Sequence, residues 1–381
     1  MDLELTSDQE FFAETTRKFL GARVPASELR ALRNDQSGFP PEYWAQGAEL
    51  GWTSLLVSEE DGGGSISGRP LSDLALVAFE FGRHAAPGPL ISSNVVAAAI
   101  SRQGTAAQRA EVLPGLLSGE AIGSWCFAEP RPHNHLGEVT AQISASGGNL
   151  LLSGTKAPVE AGAQADHFLV TALTSGDGPG LAQVLVPVDT AGLTITPMHS
   201  VDLTLRFATA TFDNVELPES ALVGEWGQAQ SEFDWQLRVA IALELAEMVG
   251  AMDKALEMTV EWAFDRYSFG RPLASYQELK HRFADMKLWL EASHAIADGA
   301  LHALEDDAPG SWDLLSAGKA YIGHYGVDLV HDCVQMHGGI GVTFDHDLHL
   351  YLRRVVLGSR IYGSVNEHRE RLTAALEESV S

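Results

Sequence analysis

Two long helical patterns dominate the C-terminal part of this chain, and a short segment at residues 265–273 joins them. Apolar residues recur at helical spacing over residues 228–264, before this segment. A second apolar stripe, interrupted by charged residues, covers residues 275–304 after it. Gly270 and Pro272 end helices and favour a turn. The sequence therefore predicts two antiparallel helices connected through residues 265–273.

Two side chains at this bend suit a nucleotide ligand. Arg266 offers a guanidinium fork that can hold a phosphate, and Phe269 offers a ring face for an adenine. A plain helix hairpin with a surface arginine is the alternative, and it is the simpler interpretation of these residues taken alone.

The remainder of the chain predicts an α+β protein. Helical patterns cover residues 8–22, 41–51, 71–85 and 106–117. Short alternating patterns cover residues 122–127, 139–145, 150–153, 167–173, 183–187, 194–198 and 209–212. We expect an N-terminal helical domain at 1–120, a middle antiparallel β domain at 121–226 and a C-terminal four-helix-bundle domain at 227–381.

Composition excludes several classes of function. The formal net charge of −26 argues against a nucleic-acid partner or an anionic membrane partner. No apolar run approaches the length of a membrane span, and the first residues do not show the charged, apolar and small-residue order of a leader, so we expect neither. Cys126 and Cys333 lie in apolar stretches without metal-ligand spacing. We expect buried thiols, no metal and a cytoplasmic protein.

Three motifs, in matching order and spacing, identify a family. Residues 266–273 follow the pattern Arg-x-x-Phe-Gly-x-Pro-Leu, and residues 276–286 continue it. Residues 335–341 fit Gln-x-x-Gly-Gly-x-Gly, and residues 212–218 read Phe-Asp-Asn-Val-Glu-Leu-Pro. The chain resembles the acyl-CoA dehydrogenases over essentially its whole length. The resemblance implies their fold of a helical domain, a β domain and a helical bundle, with FAD as cofactor.

The family's catalytic base is absent from both places where the family carries it. In that reaction a glutamate removes the α-proton of an acyl-CoA, and flavin accepts the β-hydride. One base position falls at Gly363, after Tyr362, and the other falls at Ala240. Glu244 and Glu247 follow Ala240 by about one and two helical turns, too far to replace it directly. The sequence therefore predicts no catalytic residue, with Glu244 as the second choice.

Other family positions on the flavin-ring and substrate side have also changed. An Asp-x-x-Arg pair that holds the thioester end of CoA falls at Arg238 and Ile241. A Thr-Glu-Pro-Gly loop that touches the flavin reads Ala128-Glu129-Pro130-Arg131. A Trp-Ile-Thr segment that covers the flavin reads Pro158-Val159-Glu160. Together these changes indicate a pocket that has lost its function.

The residues that the family uses on the ADP side of FAD are retained. In the family they reach across a subunit interface to the cofactor of the neighbouring subunit. They are Arg266, Ser268, Phe269, Gln335, Gly338 and Gly339, with Ser268 replacing Gln or Thr. A turn joining two helices is the alternative for the glycine pair. Glycine lets a backbone approach a pyrophosphate closely, and beside Arg266 we favour the cofactor role.

The resemblance therefore implies the non-catalytic subunit of a heteromeric α2β2 acyl-CoA dehydrogenase. A homologous partner would carry the glutamate and the acyl-CoA site, and an electron-transferring flavoprotein would accept the electrons. Residues 337–341 and 345–349 resemble the actinobacterial branch that degrades steroid side chains. Two alternatives stay open: a self-sufficient homotetramer with Glu244 as base, and a flavin-free scaffold.

Overall fold

The computed structural model describes residues 5–32, 35, 37–130, 137–176 and 179–380. Its N-terminal part is helical, as predicted. The helices are α1 (Ser7–Arg23), α2 (Ala26–Ala31), α3 (Pro41–Glu49), α4 (Pro70–His84), α5 (Leu90–Gln103) and α6 (Ala106–Ser118). Capping boxes begin α1 and α6, where Thr6 and Thr105 accept hydrogen bonds from the backbone three residues later.

Helix α5 is a helix that the sequence patterns did not predict. Its residues are buried from Leu90 through Ile100, so apolar and small side chains surround its axis on all sides. A helix buried all round has no polar face and therefore no amphipathic period.

A mixed sheet follows the helices. Its strands are β1 (Gly123–Cys126), β2 (Gln142–Ser146), β3 (Asn149–Glu160), β4 (His167–Thr174), β5 (Leu181–Pro187), β6 (Leu193–Met198), β7 (Phe207–Pro218) and β8 (Leu222–Val223). They lie in the order β6-β7-β3-β2-β4-β5-β8, and β1 also pairs with β4. Most neighbours are antiparallel, as predicted, whereas β1 and β2 run parallel to β4.

Strand β3 is much longer than the predicted 150–153. Register shifts against β7, between Leu152 and Gly154 and between Lys156 and Val159, interrupt its alternation. Bulges of this kind hide a long strand from a search for a strict two-residue period. The extension matters because it carries Pro158 and Glu160 to the candidate site.

The C-terminal part contains α7 (Gln230–Asp265), β9 (Tyr267–Ser268), β10 (Arg271–Pro272), α8 (Gln277–Glu305), α9 (Ser311–His337), α10 (Leu348–Gly358) and α11 (Val365–Val380). The predicted helix pair α7–α8 is confirmed within two residues at each end. Helix α4 crosses α7 with their backbones in contact. A Cβ atom added at Gly82 would lie 1.8 Å from the carbonyl oxygen of Glu247, and one at Gly250 would lie 2.0 Å from that of Phe79.

One buried guanidinium ties the helical parts to the sheet. Arg354 on α10 donates to Asp202 Oδ2 at 2.6 Å and to the carboxylate of Glu247 on α7. It also donates to the carbonyl oxygen of Ala86 at 2.9 Å and to Thr204 Oγ1 at 2.5 Å. Burial alone would raise the pKa of Asp202, but the charge and hydrogen bonds of Arg354 outweigh it and lower that pKa.

Within the described ranges, no helix has the length and apolar character needed to cross a bilayer. His, Cys, Asp and Glu side chains in this part of the chain form no cluster that could hold a metal ion. Cys126 and Cys333 are free and buried, as predicted, and burial raises the pKa of the Cys333 thiol to about 12.

Removing the Arg354 charge should destabilise the fold strongly. Arg354→Met would leave Asp202 and Glu247 as buried carboxylates without their cation. Breaking a buried pair in this way costs about 3–5 kcal/mol. We expect a loss of that size in the free energy of unfolding, measured by urea titration.

Lys287→Met provides the control. Lys287 pairs with Glu291 on the exposed surface of α8. Its replacement should cost no more than about 1 kcal/mol. Equal losses in the two variants would show that Arg354 does not clamp the fold.

Candidate functional site

A cavity of about 290 Å³ lies where α5, β1, β3 and the segment after α10 meet. It is formed by the segments that the family resemblance places around the flavin ring and substrate. Its walls include Ser92, Trp125, Phe127, Ala128, Glu129, Pro158, Glu160, Phe207, Ile361, Tyr362 and Gly363. Of the changed loops, Ala128, Glu129, Pro158 and Glu160 do line the cavity, whereas Arg131 lies outside the described residues.

Three aromatic rings stack on one another in this cavity wall. The ring centroids of Trp125 and Phe127 are 4.1 Å apart, with the planes inclined by 26°. The centroids of Phe127 and Tyr362 are 5.8 Å apart, and their planes are inclined by 13°. Offset stacking at such distances is favourable, so the three rings support one another without any ligand between them. They form part of the cavity wall on the side where the family resemblance places the flavin ring.

Glu160 also lies in this cavity wall. Sequence analysis noted it only as the residue that replaces the family's threonine. The Tyr362 hydroxyl hydrogen-bonds to its carboxyl group. The backbone N–H of Ser92 donates to Glu160 Oε2 at 3.3 Å. Burial, and then the nearby charge of Glu247, raise the pKa of Glu160 to about 8. The sequence signal was a glutamate at the end of a largely apolar strand.

Neither predicted base position carries an acid that faces the cavity. Ala240 is fully buried, and Gly363 lines the cavity with a φ of +95°. Glu244, the second choice, is buried on α7 outside the cavity wall. A Cβ atom added at Gly358 would lie 2.2 Å from Glu244 Oε1, so the carboxylate occupies space left by that glycine.

A buried lysine, which sequence analysis did not identify, lies beside Glu244. Lys319 on α9 donates to the carbonyl oxygen of Gly358 and interacts electrostatically with Glu244. Burial lowers the pKa of Lys319 to about 8. Burial raises the pKa of Glu244 well above its usual range, Glu247 adds to this, and Lys319 opposes it. Glu247 itself is held by Arg354, so both α7 glutamates have internal partners.

The flavin-loop glutamate has a structural partner as well. Lys156 Nζ lies 2.8 Å from Glu129 Oε1, with the lysine fully buried. Backbone N–H groups of Thr140 and Ala141 donate to Glu129 at 2.8 Å each. Burial alone would raise the pKa of Glu129, but the charge of Lys156 and the hydrogen bonds from Lys156, Thr140 and Ala141 together outweigh it and lower the pKa to about 2. This pair anchors the loop to β3.

The Asp-x-x-Arg positions do not form a pair. Arg238 forms its hydrogen bonds within this chain: it donates to Ser311 Oγ at 3.4 Å and to the Asp234 carbonyl oxygen at 3.3 Å. Ile241 is fully buried.

The retained residues of the Arg-x-x-Phe-Gly motif lie on a surface hairpin. Strands β9 and β10 pair through Ser268 and Arg271, and the turn residues Phe269 and Gly270 have φ values of +49° and +79°. Positive φ at both turn positions suits a tight hairpin. The Tyr276 hydroxyl donates to the Ser268 carbonyl oxygen at 2.7 Å. The Phe269 side chain is 98% exposed, and Arg266 is also exposed.

Gln335, Gly338 and Gly339 lie at the C-terminal end of α9, and all three are exposed. Gly338 has a φ of +67°, and its N–H donates to the Gln335 carbonyl oxygen. A Cβ atom at either glycine would meet no other atom within 4 Å. The backbone here is therefore open to an approaching ligand from outside the chain.

Stacked side chains bring these two segments together. The Arg266 Cζ atom lies 5.9 Å from the centroid of the Trp262 ring, and Trp262 stacks on His337 at 5.3 Å. His346 packs against His337 at 4.5 Å. Sequence analysis missed Trp262, although its position four residues before Arg266 predicts the same helix face. We call this region, residues 262–269 with 335–346, the α7–α9 edge.

The α7–α9 edge also exposes apolar side chains. Phe264, Tyr267 and Phe344 are largely exposed, and Val342 is 74% exposed. Among the residues that line the 290 Å³ cavity, none belongs to this edge. An exposed guanidinium, an amide, two open glycines and a free aromatic ring suit the phosphates and adenine of FAD. These groups fit a cofactor that approaches from outside the chain.

Comparisons with known proteins agree on the fold. The N-terminal domain of acyl-CoA dehydrogenases matches residues 6–120, and their C-terminal domain matches residues 226–376. The acyl-CoA dehydrogenase IpdE2 of Mycolicibacterium smegmatis is 26% identical over 371 residues, which cover 97% of this chain and 99% of that protein.

Two solved structures are similar. A variant of the steroid acyl-CoA dehydrogenase Tcur3481-Tcur3483 is 29% identical, with a TM-score of 0.87 and 98% coverage of both chains. The ChsE4-ChsE5 complex from Mycobacterium tuberculosis shares the fold at 23% identity, with a TM-score of 0.88 and 99% coverage of both chains. The chain belongs to the acyl-CoA dehydrogenase family of oxidoreductases, whose cofactor is FAD.

Proposed function

We propose that this chain is the subunit without a catalytic base in a heteromeric acyl-CoA dehydrogenase. It completes the ADP side of a FAD site whose flavin pocket and glutamate belong to a homologous partner. The observation that carries this proposal is the outward placement of Arg266 and Phe269 on a chain whose own cavity is lined by three stacked aromatic rings.

The charges support a role toward phosphate at this edge. Arg266 is an exposed cation on a protein with a net charge of −26, so it provides a local site for an anion. The Gly338 turn adds an open backbone next to it. Guanidinium groups bind phosphates through paired hydrogen bonds, and stacking on Trp262 holds Arg266 in place for this.

The exposed apolar side chains of the α7–α9 edge support a protein partner. Exposed apolar patches beside polar groups are typical of interaction surfaces. A homologous subunit is the occupant we propose, because its cofactor would reach Arg266 and Gly338 from that side. The similarity to a steroid acyl-CoA dehydrogenase favours a steroid side-chain CoA ester as substrate. An electron-transferring flavoprotein would then reoxidise the cofactor.

The self-sufficient alternative with Glu244 as base is less consistent with the local geometry. A general base must come within about 3 Å of the proton that it removes. Glu244 is buried next to Lys319 and Gly358, outside the cavity wall. The flavin-free scaffold is distinguished by colour, because it would purify with its partner without a flavin absorption band.

Co-expression with the partner subunit tests the proposal. We expect an α2β2 complex that contains two FAD molecules per four chains, because each site needs one catalytic subunit. The chain alone should be poorly soluble or poor in flavin. The measurement combines flavin absorbance, protein concentration and the mass of the complex. Four FAD molecules per tetramer would contradict a lost flavin pocket, and no FAD at all would favour the scaffold.

Arg266→Ala should weaken FAD retention in that complex. A charge-assisted pair is worth about 1.5–3 kcal/mol, which corresponds to roughly a ten- to hundred-fold change in affinity. Arg266→Lys should recover only part of it, because an ammonium group lacks the planar fork. Flavin remaining after dialysis is the measurement. Arg369→Ala, at an exposed position on α11, is the matched control and should retain FAD as the wild type does.

Replacing the carboxyl group of Glu160 or Glu244 with an amide should leave turnover nearly unchanged. We expect Glu160→Gln and Glu244→Gln to stay within about two-fold of the wild-type complex. Removal of the partner's glutamate should cost the full general-base contribution of about a hundred- to ten-thousand-fold. The assay uses a steroid-type acyl-CoA and an artificial electron acceptor. A hundred-fold loss from either variant, with FAD content unchanged, would mean that this chain carries the base.

A further inference from the structure

A second cavity, of about 610 Å³, lies between α1, α4, α7 and α8. Two contacts, one at each end of the cavity, fix the positions of α4, α7 and α8 around it. At one end α4 and α7 cross with backbone contact at Gly82 and Gly250. At the other end Glu305 of α8 accepts from the N–H groups of Leu71 and Ser72, at 2.9 and 3.2 Å, and caps the beginning of α4. The gap between α4 and α8 is therefore built into the fold.

Small residues form the apolar side of this cavity. Ala75 on α4, Ala242 and Ala246 on α7, and Ala297 on α8 line it together with Leu76 and Phe79. Larger side chains at these positions would fill the space between the helices. Its volume lies within the range of about 300–1,000 Å³ that is typical of small-molecule sites.

Three polar side chains on α8 face the same space. His294, Asp298 and His302 follow one another at four-residue spacing, so they occupy one helix face over about 12 Å. All three are partly buried, and Asp298 interacts electrostatically with the two histidines on either side of it. Their side chains line the cavity and can form hydrogen bonds to a molecule that enters it.

This cavity is separate from the one around Glu160. Helix α7 contributes residues to this cavity, whereas none of its described residues lines the cavity around Glu160. Ala242 and Ala246 each lie two residues from Glu244, about 200° around the helix. The cofactor and acyl positions implied by the family face Ala240 and Tyr362, whereas this cavity faces α4 and α8.

The charges indicate the kind of ligand. Asp298 and Asp306 line the cavity and disfavour an anion. The one arginine in the described lining, Arg69, is already paired with Glu305 at 3.0 Å and Asp306 at 2.8 Å. Imidazole and carboxyl groups can both donate and accept hydrogen bonds, which matches a hydroxyl group. We propose that the cavity between α4, α7 and α8 binds a neutral apolar molecule of sterol size through a hydroxyl group held by His294, Asp298 and His302.

Titration with pregnenolone, a neutral hydroxysteroid, tests this proposal. The full chain is used in the form in which it purifies, alone or with its partner, and binding is measured by calorimetry. We expect saturable binding at one site per copy of this chain, with a Kd of about 1–100 μM. The 3-sulfate ester of the same steroid should bind at least about ten-fold more weakly, because its charge meets Asp298 and Asp306.

Two substitutions locate the site. Ala246→Phe fills the cavity from α7, and Asp298→Leu removes the central polar group on α8. Each should weaken pregnenolone binding at least about ten-fold while the thermal unfolding midpoint stays within a few degrees of the wild type. Ala295→Phe, at an exposed position on α8, is the matched control and should bind as the wild type does.

Several results would overturn the assignment. They are no saturable binding, binding unaffected by both substitutions, and equal affinity for the sulfate ester. If one variant fails to fold, the other, on a different helix, decides the question. The assay measures no turnover and no flavin, so its outcome does not depend on the proposed heteromeric enzyme.

Discussion

The buried guanidinium of Arg354 is the interaction on which the rest of the structure depends. It lies on α10 and donates hydrogen bonds to the segment just after α4, to the segment before β7 and to α7. A buried charge is tolerated only where its partners compensate the lost hydration, so these four parts have one compatible arrangement. Tyr362 and Gly363 follow Arg354 closely in the chain, and their place in the cavity wall follows from it. The crossing of α4 and α7, which bounds the second cavity, lies beside the same cluster.

The distribution of buried cations decides what the nearby acids can do. Arg354 holds Glu247 and Asp202, and Lys319 lies beside Glu244. Glu160 receives hydrogen bonds from Tyr362 and from the backbone of Ser92, and the charge of Arg354 only partly offsets the effect of burial and of Glu247 on its pKa. With its pKa raised to about 8, its protonated form outweighs the ionised form by roughly ten to one at pH 7. A carboxyl group that is already protonated cannot accept the α-proton of a substrate. Glu160 is therefore poorly suited to be the missing base.

Sequence analysis predicted those parts of the fold that depend on local patterns. The α7–α8 pair was correct because α8 has a polar face and because apolar residues recur at helical spacing along α7, although the middle of α7 is buried on almost all sides. Helix α5 was missed because it is buried all round. The predicted range of strand β3 was too short because its bulges break the two-residue period.

The residues of the candidate site also fall into two groups, those that a local pattern predicts and those that it does not. Motif positions such as Arg266 and Gly338 could be read from the chain, since each depends on one short segment. The stack of Trp262 on His337 and the Glu160–Tyr362 pair join segments far apart in sequence, and no local pattern specifies such contacts. Lys319 was missed for a different reason: a lysine on a helix is usually solvated.

The proposed cofactor role predicts how this chain assembles with other subunits. Donors at the α7–α9 edge face outward, whereas the cavity of the same chain is lined by stacked rings. In a symmetric homodimer each edge would meet a copy of this chain, because a two-fold axis places the same surface on both subunits. Arg266 and Phe269 would then face a cavity lined by Trp125, Phe127 and Tyr362, in a chain that has Ala240 and Gly363 at the two family base positions. A partner that carries the flavin pocket and the glutamate would use the exposed groups, so the proposed role favours a heteromeric assembly over a homomeric one.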